Sequence, residues 1–354
     1  MKVCFFGNYQ CDYPRNKVLA EGLKKNGVEI VECRTRYPGF KKFFDLYRQH
    51  KRLRGKYDVL LVAFSGFSVM WFARLISQKP VVFDAFVSLY LTNVEDRQVC
   101  SKTSPRAAYY WLLDYCSCLF ANRVLLDTAA QIDYFVSRYN LPRKKFHRIF
   151  VGSDDEIFFP QPEKPEPAQK KFIVHWHGHI VPFHGLQTVI GAARELSHDC
   201  DIEFRVVTRF GSKYQEVFNR VDSLGLKNVN FVREVDYQGL AALINEADVC
   251  LGVFGRGIKA KMVIPNKIVE AAACAKPVIS GRHEVILELF TDKQNIILVE
   301  PENSQELADE ILALKKDGDL RKKISRHAFE LYQTRLTPRV LGQELKNVLF
   351  SRNA

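Results

Sequence analysis

The chain reads as an α/β protein made of two doubly wound parallel-sheet domains. Three observations predict this. With 354 residues it is too long for one ordinary core. Short apolar strands alternate with helix-period segments in both halves. Between the halves runs FFPQPEKPEPAQKK, Phe158 to Lys171, with four prolines and no periodicity, which marks a linker.

The elements follow in order. Lys2 to Phe6 is a buried strand, Asn16 to Asn26 a helix and Val28 to Cys33 a strand. A basic amphipathic helix comes next, where Phe40, Phe43, Phe44 and Tyr47 keep helical spacing. Strand Val59 to Phe64, helix Val69 to Ile76, strand Val81 to Asp84 and a long helix from about Pro105 to Phe120 continue the alternation. Arg123 to Asp127 is a strand, and Thr128 caps a helix to about Tyr139. A second alternating series runs from Lys171 through Val299, and Asp317 to Phe350 reads as two or three basic amphipathic helices. The expected domains are 1–157, a linker 158–171, a second domain 172–336 and a terminal helix 337–354. A ligand is expected in the cleft between the two domains.

Composition narrows the class. A hydrophobic content of 47% with 26% charged residues is that of a folded soluble protein. The apolar run after Lys2 ends at Gly7-Asn8, too short for a signal peptide, and Val59 to Ala73 is broken by Ser65-Gly66 and Ser68, so it does not read as a membrane span. Nine cysteines are scattered without zinc or disulfide spacing, which suggests a reducing cytoplasm. The net charge of +12 is uneven. Between Arg34 and Lys56 nine Lys/Arg stand against Asp45 alone, a local net of +8 interleaved with aromatics. Three readings stay open for that helix: an apolar stripe packed on its own domain, attachment to an anionic membrane or capture of an acidic acceptor, and nucleic-acid binding. No dedicated nucleic-acid module is present.

The most informative segment is VIPNKIVEAAACAKPVIS, Val263 to Ser280. It reads as a helix opening on Pro265 between two strands, with Asn266, Lys267 and Glu270 near one face and Ile268, Val269, Ala272 and Ala273 packed on the other. Its N-terminus, with free N–H groups at a parallel-sheet edge, suits a phosphate. Glu270, one turn in, suits sugar hydroxyls. The plainer alternative is a surface ion pair between Glu270 and Lys267. His175, His177 and His179 alternate along one strand, but no nearby cysteine or carboxylate completes a metal set. Gly7-Asn8 is a tight turn after the first strand, not a dinucleotide fingerprint.

Four segments together resemble the retaining GT-B glycosyltransferases, most closely the family 4 group (glycosyl transferases group 1). They are VGSDDEIFFP (Val151 to Pro160), FIVHWHGHIVPFHGLQTVIGAARELS (Phe172 to Ser197), NVNFVREVDYQGLAALINEADVCLGVF (ending at Phe254) and VIPNKIVEAAACAKPVIS. The resemblance implies a GT-B fold, two Rossmann-like domains facing a central cleft, with the acceptor on the N-terminal domain and a nucleotide-diphosphate-sugar donor on the C-terminal one. It implies a hexosyltransferase-like enzyme that retains anomeric configuration, needs no cofactor or metal, and makes cell-surface polysaccharide or glycolipid from a glycan or lipid-linked acceptor. The base stays unassigned. Such an enzyme is expected in the cytoplasm, at the inner face of the membrane where Arg34 to Lys56 attaches.

By position, Glu270 matches the ribose-holding glutamate, and Val263 to Lys267, with Pro265 and Asn266, the diphosphate loop and helix start. His184-Gly185 matches a turn where relatives carry Lys-Gly, and Arg209 and Lys259 are further phosphate candidates. Val232 and Arg233 match the base-recognising strand. Asp84, with His184 and Glu270, is the catalytic expectation, and Gly7, Asn8, Asp96 and Arg97 face the acceptor. Plainer readings remain: Asp84 as a turn cap, and Asp96-Arg97 as an ordinary ion pair. The first glutamate of the family's usual pair falls at Met262, and its N-domain histidine near Phe86. A non-catalytic sugar-nucleotide-binding relative and a GT-B sugar-nucleotide epimerase therefore remain open.

Overall fold

The computed structural model describes residues 1–162 and 171–351, apart from the Lys213 side chain. They divide into two compact units: Met1–Asp154 joined by the chain from Leu336 onward, and Asp155–Arg335. Of the expected linker, 163–170 lie outside the described residues.

The first unit contains β1 (Lys2–Gly7), α1 (Pro14–Lys25), β2 (Glu29–Arg34), α2 (Lys41–Leu53), β3 (Val59–Val62), α3 (Met70–Ile76), β4 (Val81–Phe86), α4 (Pro105–Phe120), β5 (Arg123–Leu126), α5 (Ala129–Tyr139) and β6 (Phe146–Arg148). Its six strands are parallel, in the order β2-β1-β3-β4-β5-β6. The β1-to-β2 connection runs one way across the sheet and every later one runs the other way. Right-handed crossovers then put α1 on one face and α2 to α5 on the opposite face. Both faces being covered, β3 and β4 are buried along their whole length; β3 reads as an unbroken apolar run, and β4 as one interrupted only by Asp84. Thr128 caps α5 as expected, accepting from the Gln131 N–H. Strand β6 was not expected. Only Phe146 in it is buried, so its three residues carry no alternation to detect.

The amphipathic helix forms as α2, but its aromatic stripe divides. Leu46 is buried, and Phe43 packs against Trp71 and Phe72 with ring centroids 5.3 and 5.2 Å apart. Phe40, Phe44 and Tyr47 are 90%, 74% and 52% exposed. One residue is a rotation of about 100° on a helix, so the row 43-46-50 faces the sheet and the row 40-44-47 faces outward.

The second unit contains β7 (Phe172–His177), α6 (Leu186–Glu195), β8 (Ile202–Thr208), α7 (Gln215–Ser223), β9 (Val229–Arg233), α8 (Tyr237–Glu246), β10 (Val249–Leu251), α9 (Asn266–Ala273), β11 (Val278–Gly281), β12 (Ile297–Val299), α10 (Ser304–Lys316) and α11 (Gly318–Arg335). Its parallel sheet has the order β12-β11-β10-β7-β8-β9. The chain winds outward from β7 to β9, then crosses back to β10 on the other side of β7. That reversal opens a crevice at the carboxyl ends of β7 and β10, where ligands of such sheets bind. Trp176, Phe204, Phe254 and Ile279 lie in the apolar core beneath it.

The last helix, α12 (Pro338–Phe350), belongs to the first unit. It buries Leu341, Leu345 and Leu349 and packs against α1. The approach is close enough to require glycine: a Cβ on Gly342 would sit 2.1 Å from the Gly22 carbonyl oxygen. The Arg123 guanidinium donates to the carbonyls of Val348, Leu349 and Ser351 (2.5, 3.2 and 2.8 Å), closing the C-terminal end of α12. No helix among the described residues is long and apolar enough to cross a membrane.

Candidate functional site

In the second unit the crevice is built from the loops that follow β7 and β10. Strand β7 is followed by Gly178, whose φ of +139° lets the chain turn away at once. The turn is held by Gly178 N–H donating to Val207 O (3.0 Å) and Thr208 Oγ1 donating to Gly178 O (2.8 Å). A tight turn, Pro182–His184, then leads into Gly185 at φ +63° and helix α6. Gly185 packs so closely that a Cβ would lie 2.5 Å from Gly255 N. Phe254 N–H and Gly255 N–H donate back to His184 O and Phe183 O, lacing the loop after β10 to the loop after β7.

Helix α9 starts beside this crevice. Pro265 is its N-cap, and Asn266 its first helical residue, one position later than the sequence suggested. No side chain caps it, and the first N–H groups of a helix have no intrahelical acceptor. The expected polar face is not at the surface. Lys267 and Glu270 are each only 5% exposed, because α9 is sandwiched between strands β10 and β11 and helix α11. The surface ion-pair reading of these two residues is thereby replaced.

The buried groups are arranged as follows. Lys267 Nζ lies 4.1 Å from the centre of the Trp176 ring and has no hydrogen-bond partner among the described residues. Glu270 Oε2 is 3.0 Å from His177 Nε2, and His177 Nδ1 is 3.0 Å from His175 Nε2. Burial pushes Lys267 down to about 7, against the smaller opposing pull of Glu270, and pushes Glu270 up to about 7. Burial, then Lys267, holds His177 down at about 3, so its ring is neutral.

His184 departs from its expected role. Its Nδ1 is 2.6 Å from the His179 carbonyl oxygen, so Nδ1–H donates there. Burial first and Lys267 second push its pKa well below the ordinary value, so it carries no charge to neutralise phosphate. Lys267 of α9 lies beside it. A Cβ built on Gly178 would lie 3.0 Å from His184 Cε1 and 3.3 Å from Lys267 Nζ, so the lysine converges on the same turn.

The remaining donor-side expectations lie outside this cluster. Arg209 is exposed and paired with Glu234 at 2.5 Å. Val232 and Arg233 pair with Val207 and Thr208 on edge strand β9, and Arg233 lies over Phe210 at 5.5 Å. Lys259 sits over the Phe183 ring at 5.5 Å on the short turn Ile258–Lys261, within reach of the laced loops. Among the described residues no three His, Cys, Asp or Glu side chains stand together as metal ligands.

In the first unit, Gly7 has φ +139° and ends β1, and the Asn8 carbonyl accepts from Ser65 Oγ at 3.4 Å. The sheet order reverses between β1 and β3, so this turn lies at the first unit's own crevice. Asp84 is fully buried, and both its oxygens face Arg15, at 3.0 Å from Nη2 and 3.1 Å from Nε. Arg15 Nη1 also donates to Ile149 O and Phe150 O (2.7 and 2.9 Å), so the pair pins α1 to the chain after β6. Asp84 therefore neither caps a turn nor faces a reacting sugar. Asp96 is buried and Arg97 exposed, on the irregular turn Leu91–Asp96 and just after it.

Comparison with known proteins adds three findings. Residues 158–331 match the family model described as Glycosyl transferases group 1. An uncharacterized glycosyltransferase of Methanocaldococcus jannaschii, MJ1178, is 28% identical over 160 residues, covering 43% of this chain and 41% of that protein. The match thus spans less than half of that relative. Among solved structures, Anabaena Alr3699/HepE in complex with UDP superposes with a TM-score of 0.74 at 17% identity, covering 99% of this chain and 100% of that one. The same protein was also solved with UDP-glucose. Sucrose-phosphate synthase (tll1590) of Thermosynechococcus elongatus gives 0.74 at 14% identity, covering 98% of each chain. At such identities the likeness carries the fold, which is GT-B.

Proposed function

From the premise that residues 158–331 are a glycosyl transferases group 1 domain in a GT-B fold, we propose that the protein moves a sugar from a nucleotide-diphosphate-sugar donor to an acceptor. One observation carries this reading. A buried lysine without an acceptor of its own stands one residue inside the uncapped N-terminus of α9, at the crevice of the second unit's sheet. An anion is the partner such a group lacks. As the bond to the anomeric carbon breaks, charge grows on the departing diphosphate. The Lys267 ammonium and the first N–H groups of α9 stabilise that charge, a task suited to a site whose dipoles are fixed in advance. Glu270, one turn further, accepts from the donor's ribose hydroxyls. A mechanism resting on the leaving group agrees with retention at the anomeric carbon and asks for no metal. The UDP and UDP-glucose complexes of HepE make a uridine donor the first to try.

The acceptor falls to the first unit, at the Gly7-Asn8 turn, and is a glycan or a lipid-linked sugar of the cell-surface kind. The outward row Phe40, Phe44 and Tyr47, within a segment of local net charge +8, supports docking at the anionic inner face of a membrane. On α3, Trp71, which packs against Phe43 of α2, and Leu75 are 47% and 74% exposed and add apolar surface.

Calorimetric titration with UDP, GDP and ADP, and with the matching nucleosides, tests the central reading. Lys267→Gln should weaken the best diphosphate about 10- to 100-fold, the worth of one charge-assisted contact. Nucleoside binding should be unchanged. A diphosphate affinity within twofold of wild type would sink the assignment. Release of nucleoside diphosphate from a nucleotide sugar, slow without acceptor, separates a transferase from a binding protein that no longer catalyses.

A further inference from the structure

Helix α9 places a lysine and a glutamate three residues apart in one buried environment, yet they are not hydrogen-bonded to each other. Lys267 Nζ has no partner among the described residues, while Glu270 Oε2 is held at 3.0 Å by His177 Nε2. In a water-poor interior, two such groups should turn together. Strand β7 supplies the competing contact. Side chains two apart on a strand share a face, and here that face carries His175 and His177, with ring centroids 5.1 Å apart. Gly178 turns the chain immediately afterwards, and its two hydrogen bonds to β8 fix the backbone that bears His177.

We infer that His177 is a positioning residue for Glu270: its Nε2–H holds one carboxylate oxygen away from Lys267, leaving the other for the ribose hydroxyls of the donor. His175 acts from behind. With Nε2 of His177 carrying the proton, His177 Nδ1 is an acceptor, and His175 Nε2–H donates to it at 3.0 Å. With Glu270 ionised the two contacts agree on one tautomer, His177 donating through Nε2 and accepting through Nδ1, as outer hydrogen bonds arrange for other functional imidazoles. The consequence is a separation of duties along α9, with the ammonium free for phosphate and the carboxylate for sugar hydroxyls. The inference rests on the reading of Glu270 as the ribose carboxylate.

The test compares affinities for a ribonucleoside diphosphate and its 2′-deoxy counterpart, using UDP, GDP and ADP and following the base that wild type binds most tightly. Wild type should prefer the ribo form on the order of tenfold, the worth of one hydrogen bond to a buried charged group. His177→Leu should bring that ratio to within about twofold of unity. His177→Gln, which keeps an N–H donor, should recover part of it. A merely structural loss would weaken both ligands alike and leave the ratio intact, and that result would overturn the inference. Glu270→Gln separates the two layers. If it collapses the ratio while His177→Leu does not, the positioning role alone fails. If Glu270→Gln leaves the ratio at its wild-type value, or none of the three bases binds, the ribose reading fails and takes the inference with it.

Discussion

Burial sets Lys267 and Glu270 against their usual protonation states, and this has a signed consequence for stability. Between pH 4.5 and about 7 the folded protein keeps a Glu270 proton that the unfolded chain has lost, so stability falls as pH rises. Between about 7 and 10.5 the unfolded chain keeps a Lys267 proton that the folded protein has released, so stability rises with pH. The contribution of the pair is therefore lowest near pH 7. Denaturant unfolding of wild type and of the Lys267→Met/Glu270→Gln double variant at pH 5.5, 7 and 9 should give a difference most unfavourable to wild type at 7. A difference that is flat across this range would contradict the burial of the pair. The identities and spacing of these two residues were legible in the sequence. Their enclosure was not, because the helix that covers α9 is α11, a separate and distant segment. His177 shows the same limit. Its alternation with His175 was visible and was weighed only as a metal set, whereas its partner Glu270 lies 93 positions away. For Asp84 the decisive partner, Arg15, is 69 positions away, and nothing local distinguishes a pinned aspartate from a catalytic one.

Among the elements, α2 carries the most consequential surface. Its outward aromatic row and its cations should together hold the protein on anionic lipid, and each part is needed. Co-sedimentation with phosphatidylglycerol vesicles should fall tenfold or more in Phe40→Ser/Phe44→Ser and equally in Lys51→Glu/Arg52→Glu. Little binding is expected on neutral phosphatidylcholine. Equal binding to both lipids, or no loss in either variant, would remove the lipid reading. The helix itself was plain in the sequence from its 3.6-residue pattern. Which of two adjacent stripes would be covered was not, since Phe43 and Phe44 differ only by one rotation, and the choice was made by Trp71 and Phe72 on α3. Strands with both faces covered announced themselves as apolar runs, β3 without a break and β4 with Asp84 as its one interruption. Edge strand β6, with one buried residue, had nothing to announce.

At the scale of the whole molecule, both sheets and their winding followed from alternation and handedness, and the two-unit fold needed no special signal. The return of α12 to the first unit did need one: its apolar positions say only that it packs somewhere, and the Gly22–Gly342 approach that fixes where is a tertiary fact. Gly342→Ala should therefore strain the α1–α12 contact and cost about 1–3 kcal/mol, as overpacking typically does. Hydrogen exchange should quicken in β1, α1 and α12 while β7 and β8 keep their protection. Unchanged exchange in α1 would show that the helices can part without cost.

That same returning helix bears on the order in which the molecule is assembled during translation. Domains usually mature from the amino terminus as they leave the ribosome. Here the earlier half must wait, its α1 surface uncovered, until all of Asp155–Arg335 has been made and the closing segment follows. The later-synthesised half, being contiguous, can finish first, so the nascent first half is where chaperone attention should fall.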